Sequence, residues 1–119
     1  MNETDVLVNT IVEALQEKKG KEIVILNLTG LESAICKYFV IAQGNTPTQA
    51  SALSDEVWDR VYDRLHEKPL GAVGMQAAQW IAMDYGSVMV HIFIPHIRDY
   101  YNLESLWADA DVTEIPDIL

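Results

Sequence analysis

The sequence predicts a single α+β domain: a mixed sheet of about five strands with helices packed mainly on one face. Three observations carry that expectation. Segments with helical apolar spacing alternate with short Val- and Ile-rich runs bounded by Gly, Pro and Asn. Hydrophobic residues make up 50% of the 119, and a chain of this length buries roughly two-thirds of its unfolded surface in one core. The stretch Trp80 to Trp107 reads as a self-contained β-hairpin followed by short helical segments. No repeat, linker or low-complexity segment divides the chain, so residues 1–108 are expected to form the domain. Residues 109–119, acidic and with one Pro, are expected to be a frayed tail.

Asn2 or Thr4 is placed to cap a first helix, with Asp5 near its positive end. Leu7, Val8, Ile11, Val12 and Leu15 make its apolar stripe, and Gly20 ends it after Lys18 and Lys19. Ile23 to Leu28 is an almost unbroken aliphatic run, which suits a central strand covered on both faces. After the loop Thr29 to Lys37, Tyr38 to Gln43 forms a second strand. Thr46 caps a long helix that carries Pro47 in its first turn and runs to about Glu67. It buries Ala50, Leu53, Val57, Val61 and Leu65, with Trp58 and Tyr62 at its border. Asp55, Asp59 and Asp63 recur at helical spacing and read as a solvated acidic ridge. Leu70 to Gly74 is a short, glycine-rich edge strand, and Met75 to Gln79 a loop.

In the hairpin, Trp80 to Asp84 and Ser87 to Ile94 are the strands, and Asp84-Tyr85-Gly86 is the turn signal. Closing it on Tyr85-Gly86 sets Asp84 opposite Ser87, Met83 opposite Val88, and Trp80 opposite His91. One face then reads Ile81, Met83, Val88, Val90, Ile92, Ile94 and must be covered by helices. The other reads Trp80, Ala82, Asp84, Ser87, Met89, His91, Phe93, a mixed surface suited to a partner. Beyond Pro95 a short helix starts near His96, and Asn102 is placed to cap another with Glu104 in its first turn. Tyr100, Leu103 and Trp107 are spaced to pack back on the sheet.

The formal charge is −10, from 8 Lys and Arg against 18 Asp and Glu, which opposes binding to bare nucleic acid and suits a basic protein partner. Cys36 is alone, so an internal disulfide is impossible and a reducing, cytoplasmic setting is expected. Glu3, Asp5 and Glu13 give the N-terminal stretch no signal- or transit-peptide plan, and no run is long enough to cross a bilayer.

Catalytic chemistry finds few footholds. His66, His91 and His96 fall in no H-x3-H arrangement, no C-x2-C occurs, and neither a nucleophile elbow nor a phosphate loop is present. No metal or cofactor is expected. Trp80 offers a rigid apolar anchor with one N–H donor, Tyr85 is expected to project from the turn tip, and Asp84 suits Arg or Lys. Met89 adapts its shape, and His91 donates or accepts. With Ser87, these six residues are the expected partner-binding set.

The pattern W-x3-D-x-G-x4-H-x-F falls on Trp80, Asp84, Gly86, His91 and Phe93. It is followed by R-x2-Y-x-L-E-x-L-W on Arg98, Tyr101, Leu103, Glu104, Leu106 and Trp107. Together with YFVIAQGNT at Tyr38 to Thr46, it resembles the ribosomal silencing factor family, also called Iojap-related, over all but the last dozen or so residues. The resemblance implies a nucleotidyltransferase-like topology without enzymatic activity. It also implies a role in repressing translation under starvation and a part in large-subunit maturation. The implied partner is the large ribosomal subunit through its basic protein fourteen, with subunit joining blocked by volume. Within the family the tryptophan and the turn residue after the Asp lie on the partner-binding surface.

Val73-Gly74, Lys37 and Asn27 depart from the family pattern, in which acidic residues are common at Val73, Lys37 and Asn27. Two other readings stand beside it. One is a nucleotidyltransferase-like enzyme, for which Gly44-Asn45 follows a strand but Asp55-Glu56 and Asp109/Asp111 do not converge. The other is a self-associating module, a homodimer when free.

Overall fold

The computed structural model describes residues 2–118; Met1 and Leu119, placed by the sequence reading at the outer ends of domain and tail, lie outside the described residues. The elements are α1 (Glu3–Glu17), β1 (Lys21–Asn27), β2 (Tyr38–Gln43), α2 (Pro47–Leu65), β3 (Gly71–Val73), β4 (Trp80–Asp84) and β5 (Val88–Phe93). They are followed by α3 (Pro95–Tyr101), α4 (Leu103–Leu106) and β6 (Asp111–Ile115). The strands form one six-stranded sheet in the order β3-β4-β5-β2-β1-β6. The β2–β5 pair is parallel and every other neighbour antiparallel, so the sheet is mixed, as expected.

Two caps fix the long helices. Asn2 Oδ1 accepts from the Asp5 N–H at 2.8 Å, and Thr46 Oγ1 from the Gln49 N–H at 3.1 Å. Gln49 reaches back to the Asn45 N–H at 2.8 Å, the reciprocal bond of a capping box shifted by one residue. Both helices lay their stripes on the same face of the sheet. Leu7, Ile11 and Leu15 of α1 and Leu53, Val57 and Val61 of α2 pack with Ile23, Val40, Ile81, Met83, Val88, Val90 and Ile92. Arg64 of α2 pairs with Glu13 of α1 across the helix–helix seam.

The opposite face holds a second, smaller core. Val24, Leu26, Leu28, Phe39, Ile41 and Phe93 are roofed by Ile97, Leu103, Trp107 and the loop residues Leu31, Ala34 and Cys36. The roof exists because β5 must cross over to β6 on the far side of β1, and α3 and α4 form that crossing. Arg98, buried on α3, ties it down. Its guanidinium donates to the Glu22 carbonyl at 2.7 Å and to Gln43 at 3.3 Å, and pairs with Glu104 at 3.4 Å. Glu22 sits at φ 51 in a bulge of β1, which turns that carbonyl out of the ladder.

Four expectations are corrected. The tail read as frayed contains β6, paired with β1 from Ile23↔Ile115 to Asn27↔Asp111. It is stabilised by backbone ladder bonds rather than burial, since its first four residues are exposed, so periodicity had no burial to report. The Asp117 carboxylate accepts from the Glu22 N–H at 3.0 Å and pins the end.

The second correction is the hairpin register. Trp80 lies opposite Phe93 and Met83 opposite Val90, two residues beyond the expected pairs. The loop is Gly86-Ser87, because the φ of +85 at Gly86 belongs at the first loop position. Asp84 Oδ1 caps the Gly86 N–H at 2.8 Å, and the Tyr85 N–H bonds the Val88 carbonyl at 2.9 Å. The slip is even, so both faces keep their residues.

Third, Tyr100 does not pack on the sheet; Ile97 and Arg98 take the inward positions of α3, and half-exposed Tyr101 leans on Trp80. Fourth, the Asn102 side chain caps nothing. Its left-handed backbone ends α3, and its carbonyl accepts from the Ser105 N–H at 3.1 Å.

Candidate functional site

The roof formed by α3 and α4 stops short of β3 and β4. On that side of the sheet Gly71 and Val73 lie opposite Asp84 and Ala82, and this part of the face is open. Val73 is 65% exposed, Ala82 and Asp84 are partly exposed, and Met89 on β5 borders them. Leu70 and Met75, flanking β3, are exposed as well. Gly74 secures the junction: it has φ +85, and a Cβ there would stand 2.0 Å from the Trp80 carbonyl oxygen.

Trp80 sits on the boundary between roofed and open surface. Its Nε1–H donates to His91 Nδ1 at 3.1 Å, Phe93 stacks against the indole at 5.0 Å, and Tyr101 tilts over it at 4.7 Å. The indole is therefore preorganised, with its donor already spent. His91 is the buried end of that bond, 4% exposed, with Phe39 edge-on at 4.6 Å. Burial in this apolar setting pushes its pKa down to about 4, so the ring is a neutral acceptor. Its Nε2 has no partner within the protein.

The six expected residues thus separate. Trp80, Ser87 and Met89 remain part-exposed on or beside the open patch. Asp84 is part-exposed, but one carboxylate oxygen serves the turn. His91 acts from beneath. Tyr85 is corrected: it is 6% exposed and belongs to the core under α1 and α2. With the loop moved to Gly86-Ser87, Tyr85 ends the inward row Ile81, Met83, Tyr85 and alternation turns it inside. Burial, followed by the charge of Glu67, pushes its phenol pKa up. The Lys37 N–H donates to the Ser87 carbonyl at 2.9 Å, placing exposed Lys37 at the hairpin tip.

Sequence reasoning missed Val73 and Tyr101. Antiparallel pairing of β3 with β4 would have put Val73 on the tryptophan side, and the spacing from Ile97 puts Tyr101 one turn on along the same helical stripe.

The groups weighed for catalysis lie as follows. Glu56 pairs with Arg60 at 3.1 Å, and Asp111 lies on edge strand β6 opposite Asn27. Cys36 Sγ donates to the Tyr38 carbonyl at 3.3 Å, and burial raises its thiol pKa. Among the described residues no three His, Cys, Asp or Glu side chains gather to hold a metal ion.

The sequence and fold that carry this patch have close counterparts. The profile of the family described as "Ribosomal silencing factor during starvation" matches residues 1–119. The chain belongs to the ribosomal silencing factor family. It is 34% identical over 113 residues to Ribosomal silencing factor RsfS of Halalkalibacterium halodurans, covering 95% of each chain. With the protein of the same name from Bacillus subtilis the identity is 33% over 116 residues, covering 97% of this chain and 95% of that one. A crystal structure of a Chromobacterium violaceum protein superposes with a TM-score of 0.84 at 31% identity, covering 90% of this chain and 88% of that one. In this family member, no helix among the described residues is long and apolar enough to cross a membrane.

Proposed function

We propose that this family member docks on the large ribosomal subunit through the open half of its hairpin face and silences translation by volume, without a chemical step. The partner is the basic large-subunit protein fourteen that the family resemblance implies, reached in the cytoplasm. A domain 35 × 34 × 28 Å across, seated there, would obstruct the approach of the small subunit. Repression under starvation and a part in large-subunit maturation follow from the same placement.

One observation carries the reading: an apolar patch of Ala82 and Val73, bordered by part-exposed Trp80 and Met89, is left open on a chain of net charge −10. A contact of about 800 Å² per partner suffices for a stable complex. Nucleotidyl transfer is the weaker alternative, because Glu56 and Asp111 are held apart on α2 and β6.

Sedimentation with separated ribosomal subunits, followed by a subunit-joining assay, tests the proposal. The protein is expected to co-sediment with large subunits and slow joining. Trp80→Ala should cost about 2 kcal/mol of binding; unchanged affinity with an intact fold removes Trp80 from the contact. The same patch suits a second copy of the chain when free. Light scattering that finds a dimer persisting on the large subunit would contradict one shared face.

A further inference from the structure

Tyr100 and Tyr101 form an exposed aromatic pair at the end of α3, their rings meeting edge to face at 5.0 Å. Tyr101 leans on Trp80, which stacks on Phe93, so a row of rings runs outward from a residue with no exposure. Its outer members are exposed by 49% at Tyr101 and 80% at Tyr100. The inner rings are fixed by packing and by the Trp80–His91 bond, so Tyr101 is supported from below. A supported tyrosine offers contact area at a low cost in rotamer entropy.

Ring faces attract cations. Among the described residues the cation that lies over a ring is Lys68, on Tyr62 of α2 at 5.5 Å; none lies over Trp80, Tyr101 or Tyr100. Arg98, the arginine of α3, is turned inward onto Glu22, Gln43 and Glu104. Exposed Asp99 lies next to the pair in sequence, on a chain of net charge −10. The net negative charge of the chain and the absence of a cation over these rings among the described residues favour an incoming cation.

We propose that the exposed ring faces of Tyr100 and Tyr101 receive a Lys or Arg side chain of the docked protein, a guanidinium by preference, with Trp80 as the platform beneath. This rests on the docking reading above and names the chemistry of its contact. The phenol hydroxyls are dispensable and the ring faces are not.

The test is co-sedimentation of the full chain with purified large subunits, comparing wild type with Tyr100→Ala, Tyr101→Ala, Tyr101→Phe and Tyr101→Leu. Tyr62→Ala on α2 is the control, and thermal melts accompany each variant. Tyr101→Phe and Tyr62→Ala should bind like wild type, Tyr101→Leu and Tyr101→Ala about tenfold more weakly, and Tyr100→Ala about threefold more weakly. Wild-type binding by Tyr101→Leu overturns the assignment, because any apolar group would then serve. Wild-type binding by Tyr100→Ala, a substitution too exposed to disturb the fold, does the same for the pair. A wild-type chain that fails to sediment with large subunits defeats the docking reading and this contact with it.

Discussion

Two halves of one sheet face lie side by side in this protein, built by the same alternation of side chains. Over β5, β2 and β1 the crossing formed by α3 and α4 seals Phe93, His91, Phe39 and Leu26 away from water. Beyond the contact of Tyr101 with Trp80, no helix among the described residues covers β3 or the far end of β4 on this face, and Val73 is exposed while Ala82 and Asp84 stay part-exposed. The residues on the two halves differ little in chemistry. What separates them is the route of the chain after Pro95, which must reach the β1 edge and so passes over one half alone. A mixed face is therefore not one surface. Its roofed half determines stability and its open half is free to meet a partner, with Trp80 rooted in the first and facing the second.

The largest effect that would test this division is on the roofed side. Phe93→Ala should destabilise the domain by about 4 kcal/mol in denaturant titrations, because a fully buried ring leaves a cavity beneath Trp80. A cost below about 1 kcal/mol would show that the roof is not a packed core.

His91 gives the next test. Its pKa is near 4 folded against 6.5 for the free side chain, so in that window the unfolded chain holds more protons. Its contribution is complete above pH 6.5 and is lost as the pH falls toward 4, amounting to about 3 kcal/mol. Comparing the pH slope of stability with that of His91→Gln isolates it; equal slopes would mean that His91 already titrates as a solvated group.

Gly74→Ala should cost about 2 kcal/mol, from the positive φ and the clash with the Trp80 carbonyl. It should also shift tryptophan fluorescence, and an unchanged spectrum would uncouple β3 from the boundary residue. Smallest of all, Val73→Ser should alter stability by no more than about 0.5 kcal/mol while weakening large-subunit binding. A larger loss of stability would place Val73 in the core and erase the contrast between the halves.

Much of this was legible in the chain. The caps Asn2 and Thr46, the stripes of α1 and α2 and the bounds of β2 are local features, set by hydrogen bonds a few residues apart. The two hairpin faces were legible as well, since alternation survives an even slip in register. The loop position was missed although Gly86 carried the signal, and that error alone put Tyr85 outside rather than in the core. β6 was missed because its exposed, acidic residues join the sheet through backbone groups, which every sequence possesses. In the R-x2-Y-x-L-E-x-L-W motif, spacing located the residues but not their tasks. Arg98 and Glu104 turn out to be internal ties, and Tyr101 an outward ring.

By itself the sequence determined the kinds of every element but β6, the faces of the hairpin and the family, because periodicity, capping and motif spacing act over one or two turns of chain. Which half of the tryptophan face would be covered was decided only in three dimensions. That outcome depends on where β6 docks and on the path the chain takes to get there, contacts separated by most of the chain's length, which no local pattern encodes.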